Sequence, residues 1–371
     1  MVYRFDEIAI NSTAKKKPVE SDKFHYIGLE HIDSGSFEIS RWGSEVAPVG
    51  EKLIMRKGDV LFGKRRAYQR KVAIAPFDGI FSAHGMVLRP KEDVICKEFF
   101  PLFLSSNQFM ETAIRISVGG LSPTINWKDL QKQEFDLPSI EEQRILADKL
   151  WAAYELKEAY KKMIAATDEM VKSQFIEMSR SWPIRKLDGC VNIVRGVSYK
   201  PSDVIGEHDS NAVGILRANN ITDGEINTID IVYVDKTRVS ESQRIKIGDI
   251  VVCASSGSQS LVGKAAINKT LSDKYAHGAF CLLIRCLDKL LPRFLNLYLQ
   301  TVLYRNQIEN LSCGSNILNI KAGHLLSLDV PIPNIEQQNM FVSIIEQADK
   351  SKFELQQAIE KIDKVMKSLL Q

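Results

Sequence analysis

The feature that most constrains this chain is a segment that occurs twice. Residues 136–179 read DLPSIEEQRILADKLWAAYELKEAYKKMIAATDEMVKSQFIEMS, and residues 330–371 read VPIPNIEQQNMFVSIIEQADKSKFELQQAIEKIDKVMKSLLQ. Pro138 matches Pro333, Ile140 matches Ile335, Glu141 matches Glu336 and Gln143 matches Gln338, each 195 positions on. In the second copy Phe341, Ala348, Leu355, Ile362 and Leu369 recur every seventh residue. Ile344, Ala358 and Val365 fall on the companion positions, with Ser351 as the polar exception. That spacing predicts a helix with a coiled-coil seam. The first copy keeps Leu146, Ala153, Tyr160 and Thr167 in the same register. The prolines stand just upstream, where a helix cannot yet have begun. A helix of about 36–40 residues is roughly 55–60 Å long, far beyond the about 11–12 residues of an average globular helix. Two such helices in one chain are expected to pair antiparallel.

A chain of 371 residues, 44% hydrophobic and 26% charged, can bury two domain cores. The net charge of +3 does not by itself mark a nucleic-acid binder, although a local basic patch can. The six cysteines show no metal-ligand spacing and suit reduced thiols of a cytosolic protein. MVYRFDEIAI carries acids and lacks the long apolar core of a signal peptide, and no run approaches the roughly 18 apolar residues of a membrane span. A cytoplasmic protein without a membrane partner is expected.

The order of motifs ahead of each helix also repeats. Residues 23–39 read as strand, turn at Asp33-Ser34-Gly35, and strand; residues 214–226 answer them, with Asp223-Gly224 at the turn. Gly58-Asp59 leads into Val60-Leu61-Phe62, and Gly248-Asp249 leads into Ile250-Val251. Ala83-His84-Gly85 is answered by Ala276-His277-Gly278, and Phe100-Pro101 by Leu291-Pro292. A helical stretch is expected at about 97–115. In the polar loop 117–126, Val118-Gly119-Gly120-Leu121 is answered by Cys313-Gly314-Ser315-Asn316. A period near two hundred residues means domain duplication, not a solenoid. The expected organisation is a globular domain at 1–138, a helix at 139–181, a second domain at 182–333 and a second helix at 334–371.

Few motifs carry chemistry. Gly58 to Lys64 fits GxxxxGK, but Arg65 stands where a P-loop needs Ser or Thr, and the apolar strand occupies the spacer. Gly257 to Gly263 is one residue too long. There is no Asn-Pro-Pro or Asp-Pro-Pro turn of an amino methyltransferase, no HExxH and no GxSxG. His84 and His277 lie between apolar runs without a spaced carboxylate, which suits a structural or DNA-facing histidine better than a general base. The clearest chemical signal is the loop Lys64, Arg65, Arg66, Ala67, Tyr68, Gln69, Arg70, Lys71: five cations and no acid. Lys and Arg neutralise phosphates, and Arg and Gln read base edges. The corresponding stretch, Ser255, Ser256, Gly257, Ser258, Gln259 and Ser260, is small and polar, with Lys264 beyond it. It fits a flexible loop equally well as one that contacts DNA.

Two non-identical domains, each followed by a long helix that opens on Leu137-Pro138-Ser139-Ile140-Glu141-Glu142-Gln143 or Ile332-Pro333-Asn334-Ile335-Glu336-Gln337-Gln338, resemble the specificity subunits of type I restriction–modification systems. The Gly-Asp turns and the run Leu216-Arg217-Ala218-Asn219-Asn220-Ile221 add to the resemblance, which covers essentially the whole chain. It implies a mixed α/β (α+β) fold of two tandem target-recognition domains, with the helices forming an antiparallel coiled coil. Each domain would read one half of a split double-stranded DNA target, while the helices set the gap and dock two modification (methyltransferase) subunits. S-adenosylmethionine would come with those subunits, and ATP and Mg2+ with the restriction subunits, so this chain would hold no cofactor or metal and catalyse nothing. The family fixes no base-reading residues. Lys64, Arg65, Arg66, Tyr68, Gln69, Arg70, Lys71, His84, Ser255, Ser256, Ser258, Gln259, Lys264 and His277 are chosen from chemistry alone. The rival expectations are a self-contained DNA-modifying enzyme and a coiled-coil adaptor without a DNA role.

Overall fold

The computed structural model describes residues 1–222, 224–312 and 319–370, except the side chains of residues 259 and 312. The expected turn residue Asp223 and the motif Cys313-Gly314-Ser315-Asn316 lie outside the described residues. The chain divides into two compact units: Met1–Lys161 with Gln356–Gln371, and Lys162–Leu355. Each unit therefore holds one globular domain and a piece of both long helices.

The N-terminal unit has a four-stranded antiparallel sheet in the order Ala9–Ser12, Met86–Pro90, Val60–Phe62, Val72–Ile74. A second sheet has the order Lys15–Lys16, Lys52–Met55, Gly79–Phe81, Tyr26–Ile27, the last pair parallel. The C-terminal unit repeats the first order with Val191–Arg195, Cys281–Cys286, Ile250–Cys253 and Ala265–Ile267, and extends it with Gly224–Ile226 and Ile221–Thr222. Val60-Leu61-Phe62 is apolar throughout because all three residues are buried. The preceding Gly58 and its counterpart Gly248 adopt φ of 89° and 90°, which only glycine takes without strain. Each following aspartate closes the turn. Asp59 accepts from the Arg56 amide at 2.8 Å and from the Arg89 guanidinium at 2.6 and 2.8 Å. Asp249 accepts likewise from the Lys246 amide at 2.7 Å and from Arg285 at 2.8 and 2.6 Å. In each unit the entering and leaving strands pair: Val2–Arg4 with Glu134–Asp136, and Ile184–Lys186 with Asp329–Pro331.

The expected strand–turn–strand at 23–39 is not found. Only Tyr26–Ile27 is strand, and it pairs with Ile80–Phe81 instead of a hairpin partner. The Gly28 amide donates to Nδ1 of His31 at 2.9 Å, which turns the chain into a 3-10 helix at Leu29–His31. In the other unit Ile221–Thr222 and Gly224–Ile226 do pair antiparallel. The helical stretch is two helices, Phe99–Ser105 and Asn107–Arg115, separated at Ser106, whose hydroxyl accepts from the Phe109 amide.

The long helices run Ile140–Ser179 and Ile335–Leu369. Within each unit their pieces lie antiparallel. In the N-terminal unit Lys157 meets Asp363 at 2.5 Å, while Leu150 and Trp151 share a core cluster with Leu369 and Leu370. In the C-terminal unit Asp168 meets Lys352 at 2.6 Å, while the Phe175 ring lies 5.5 Å from that of Phe341. Phe341 and Ala348 are buried on the seam as the heptads require. The companion set is one residue later than the heptad count gives: Ile359 is buried and Met366 packs on the core, while Val365 is 55% exposed. The polar exception is thus Lys352, not Ser351.

Each helix is pinned at its start by a buried glutamine. The Gln143 carbonyl accepts the Cys96 amide at 2.9 Å, and its amide donates to the Val94 and Pro138 carbonyls at 3.1 and 3.0 Å. Gln338 repeats this on the Leu291 amide at 2.9 Å and on the Lys289 and Pro333 carbonyls, both at 3.0 Å. This equivalence sets Leu291 against Cys96, so the sequence match of Leu291-Pro292 with Phe100-Pro101 is out of register. Gln143→Ala or Gln338→Ala is expected to destabilise its own unit by about 2–4 kcal/mol, because buried backbone groups lose their partners. Urea unfolding curves of the full chain measure this, and a loss below about 0.5 kcal/mol contradicts it.

Candidate nucleic-acid interface

In the N-terminal unit the basic loop joins strands Val60–Phe62 and Val72–Ile74, and the Gly63 amide donates to the Lys71 carbonyl across its neck. Arg66 and Arg70 adopt left-handed backbones, φ 57° and 51°, on either side of a 3-10 turn at Ala67–Gln69. Non-glycine residues rarely sit there. The buried Ala67 anchors the turn, and the two reversals send the cations to different places.

Arg65 and Arg66 face the polar loops. The Arg65 guanidinium lies 3.3 Å from Nε2 of His84, and its amide donates to the His84 carbonyl at 3.1 Å. Burial, and then the charges of Arg65, Lys64 and Lys52, hold the His84 imidazole below the usual histidine range. The ring is therefore neutral at pH 7 and can accept from Arg65. The Arg66 amide donates to the Pro123 carbonyl at 2.7 Å and its guanidinium to the Ser122 hydroxyl at 3.1 and 3.2 Å. Tyr68 is 52% exposed and Gln69 half-buried. Arg70 and Lys71 turn inward: Arg70 donates to Asn107 Oδ1 at 2.7 Å and to the Ser105 carbonyl, and Lys71 to the Leu29 carbonyl at 2.6 Å. Both act as braces of the fold. Lys64 is half-buried. The five cations thus divide into two outward, two tethered and one in a cleft. Ser122 joins the loop although no spacing in the sequence pointed to it.

The C-terminal unit builds the same neck with different side chains. The Cys253 amide donates to the Lys264 carbonyl as Gly63 does to Lys71, so Lys264 occupies the place of Lys71 and is exposed. The Ser255 amide donates to the Phe280 carbonyl at 3.1 Å, as Arg65 does to His84. Arg65 bridges Thr124, and Ser255 bridges Asn319. Arg65 and Ser255 are thus equivalent, and so are His84 and Phe280. Ser256 accepts from the Ser258 amide at 3.2 Å, and the Ser258 and Ser260 hydroxyls bond at 2.9 Å, so these hydroxyls order one another. The side chain of Gln259 lies outside the described residues.

The sequence match of His84 with His277 is corrected by the strands. Phe81 pairs with Ile27 as His277 pairs with Leu216. His277 therefore takes the buried place of Phe81, with 0% exposure and Nε2 at 3.1 Å from the Val194 carbonyl. Burial drives its pKa down. It is a structural histidine and cannot face DNA. The residue at the surface is Phe280, 70% exposed, which sequence reasoning missed because an apolar residue beside a strand reads as core.

A model of the type I restriction modification DNA specificity domain matches residues 5–165 and 180–364. The chain belongs to this family. It is 34% identical over 185 residues to the type I restriction enzyme StySPI specificity subunit of Salmonella potsdam, and 35% over 185 residues to the EcoKI specificity subunit of Escherichia coli K12. Each match takes in 49% of this chain and 40% of the relative, so the match spans about two-fifths of those proteins. A solved chain from work on complex assembly and conformational transition of the type I R-M system aligns over 100% of this chain and 96% of its own, with TM-score 0.59 and 18% identity. That likeness shows a shared fold. Among the described residues no helix is long and apolar enough to cross a membrane.

Replacing Arg65 and Arg66 together with alanine is expected to weaken DNA binding and lower its salt slope by about two. Arg70→Met is expected to lower stability and leave the slope in place. Fluorescence anisotropy across a salt series reads both, and a slope that falls only with Arg70→Met refutes this division of the loop.

Proposed function

We propose that this chain is the DNA sequence-specificity subunit of a type I restriction–modification enzyme. The observation that carries the proposal is the pair of equivalent necks holding different chemistry: Arg65, Arg66 and His84 in one unit, Ser255, Ser256 and Phe280 in the other. A duplicated framework with unlike loops is what reading two different half-sites requires. Guanidinium groups suit guanine edges and phosphates, whereas hydroxyls and an exposed ring suit mixed base edges and a thymine methyl. The antiparallel helices serve as the spacer and as the face for two modification subunits. At about 1.5 Å per residue the longer helix is about 60 Å, close to 18 base pairs at about 3.4 Å each. Catalysis rests with the partners: methyl transfer from S-adenosylmethionine on the modification subunits, and ATP- and Mg2+-dependent work on the restriction subunits.

Copurification with a modification subunit, followed by sequencing of the methylated DNA, is expected to give a split motif with a fixed gap. A single continuous motif, or methylation by this chain alone, overturns the proposal. Inserting one heptad into both helices is expected to widen the gap by about three base pairs and keep both half-sites. Phe280→Ala is expected to relax one half-site only; relaxation of both removes Phe280 from the interface.

A further inference from the structure

Beside the basic loop a cleft of about 340 Å³ opens in the N-terminal unit. Asn11, Ser12, Lys15, Lys64, Asn126 and Trp127 are among its lining residues, and no carboxylate is. Lys15 Nζ has Glu51 at 3.9 Å, and the Asn126 amide has Asp129 at 3.5 Å. The Lys64 ammonium has no hydrogen-bond or ion-pair partner among the described residues, and it is half-buried. Burial, and then the charge of Lys15, hold its pKa below the usual lysine value. Half-burying an unpaired ammonium costs free energy, and an anion in contact with it returns part of that cost.

The cleft's chemistry belongs to one domain only. The Ile125 amide donates to the Lys64 carbonyl, and the Ile320 amide to the Ala254 carbonyl, so alanine stands at the equivalent of Lys64. The strand pairs put Ile193 and Val194 where the N-terminal unit has Asn11 and Ser12. Two residues beyond Ile320 is Ala322, against Trp127 two beyond Ile125. The framework therefore does not need a lysine or a tryptophan at these places.

We propose that this cleft is a phosphate site, in which Lys64 and Lys15 hold the phosphate group of a nucleotide, Asn11 and Ser12 donate to its oxygens, and Trp127 packs on its sugar or base. The phosphate comes either from the DNA backbone or from a free nucleotide. Only the first source rests on the DNA-reading function.

The full chain is titrated by calorimetry with inorganic phosphate and with 5′-deoxynucleoside monophosphates, and by anisotropy with a labelled random duplex. Wild type, Lys64→Met and, as a control outside the cleft, Lys57→Met are compared. Lys64→Met is expected to weaken phosphate binding about tenfold, as loss of one charge-assisted contact does, with Lys57→Met unchanged and thermal stability kept. If the DNA backbone is the source, Lys64→Met also lowers the duplex salt slope by about one, and nucleotides bind no better than phosphate. If a free nucleotide is the source, it binds tighter than phosphate and the duplex slope stays. Phosphate binding that depends on Lys64 in a chain that binds no duplex sinks the DNA reading and leaves the cleft. Equal binding of phosphate and nucleotides by wild type and Lys64→Met overturns the proposal.

Discussion

The fold depends on a buried primary amide used twice. Gln143 and Gln338 each make three hydrogen bonds to backbone groups of two segments, the proline turn before the long helix and the link ahead of an earlier short helix. A buried amide is costly without partners and directional with them. It therefore tolerates one helix direction relative to its own domain. A hydrophobic contact alone would let the helix slide or turn, because apolar burial has no direction. The Asp59–Arg89 and Asp249–Arg285 pairs act similarly further along, tying the Gly-Asp turn to the neighbouring strand. Between these fixed points each neck loop has a defined origin.

The duplication separates what the fold requires from what it permits. The glutamine, the Gly-Asp turn, the neck hydrogen bonds and the paired entry and exit strands occur in both units. The loop side chains do not. Arg65 gives way to Ser255, His84 to Phe280 and Lys64 to Ala254 without loss of the backbone bonds at those places. The loop surfaces are free to vary because the backbone, not the side chain, makes the bonds that hold them.

Much of the fold is legible in the sequence. Heptad spacing and proline placement mark both long helices, since only a helix repeats its buried face at that period over several turns. The Pro-to-Gln repeat marks the clasp, although the role of Gln143 is visible only in three dimensions. The two misplaced features have separate causes. Residues 23–39 hold one short strand, whose partner is Ile80–Phe81 rather than a hairpin neighbour, and a shared tripeptide matches His84 to His277 although strand register places His277 at Phe81. Short matches cannot register strands whose loops differ in length. Charge alone also cannot tell that Arg70 and Lys71 brace the fold while Arg65 and Arg66 face outward. The left-handed turns at Arg66 and Arg70 decide that.

The pairing of Val2–Arg4 with Glu134–Asp136, and of Ile184–Lys186 with Asp329–Pro331, brings the two ends of each domain side by side. A segment whose ends meet can be lifted out and replaced at a single seam, because the rest of the chain sees only the two adjoining stubs. Genetic exchange at that seam would trade a whole globular domain at once. Under the proposed function, a population holding several versions of each domain would command as many specificities as the product of the two inventories, while the helices stay the same.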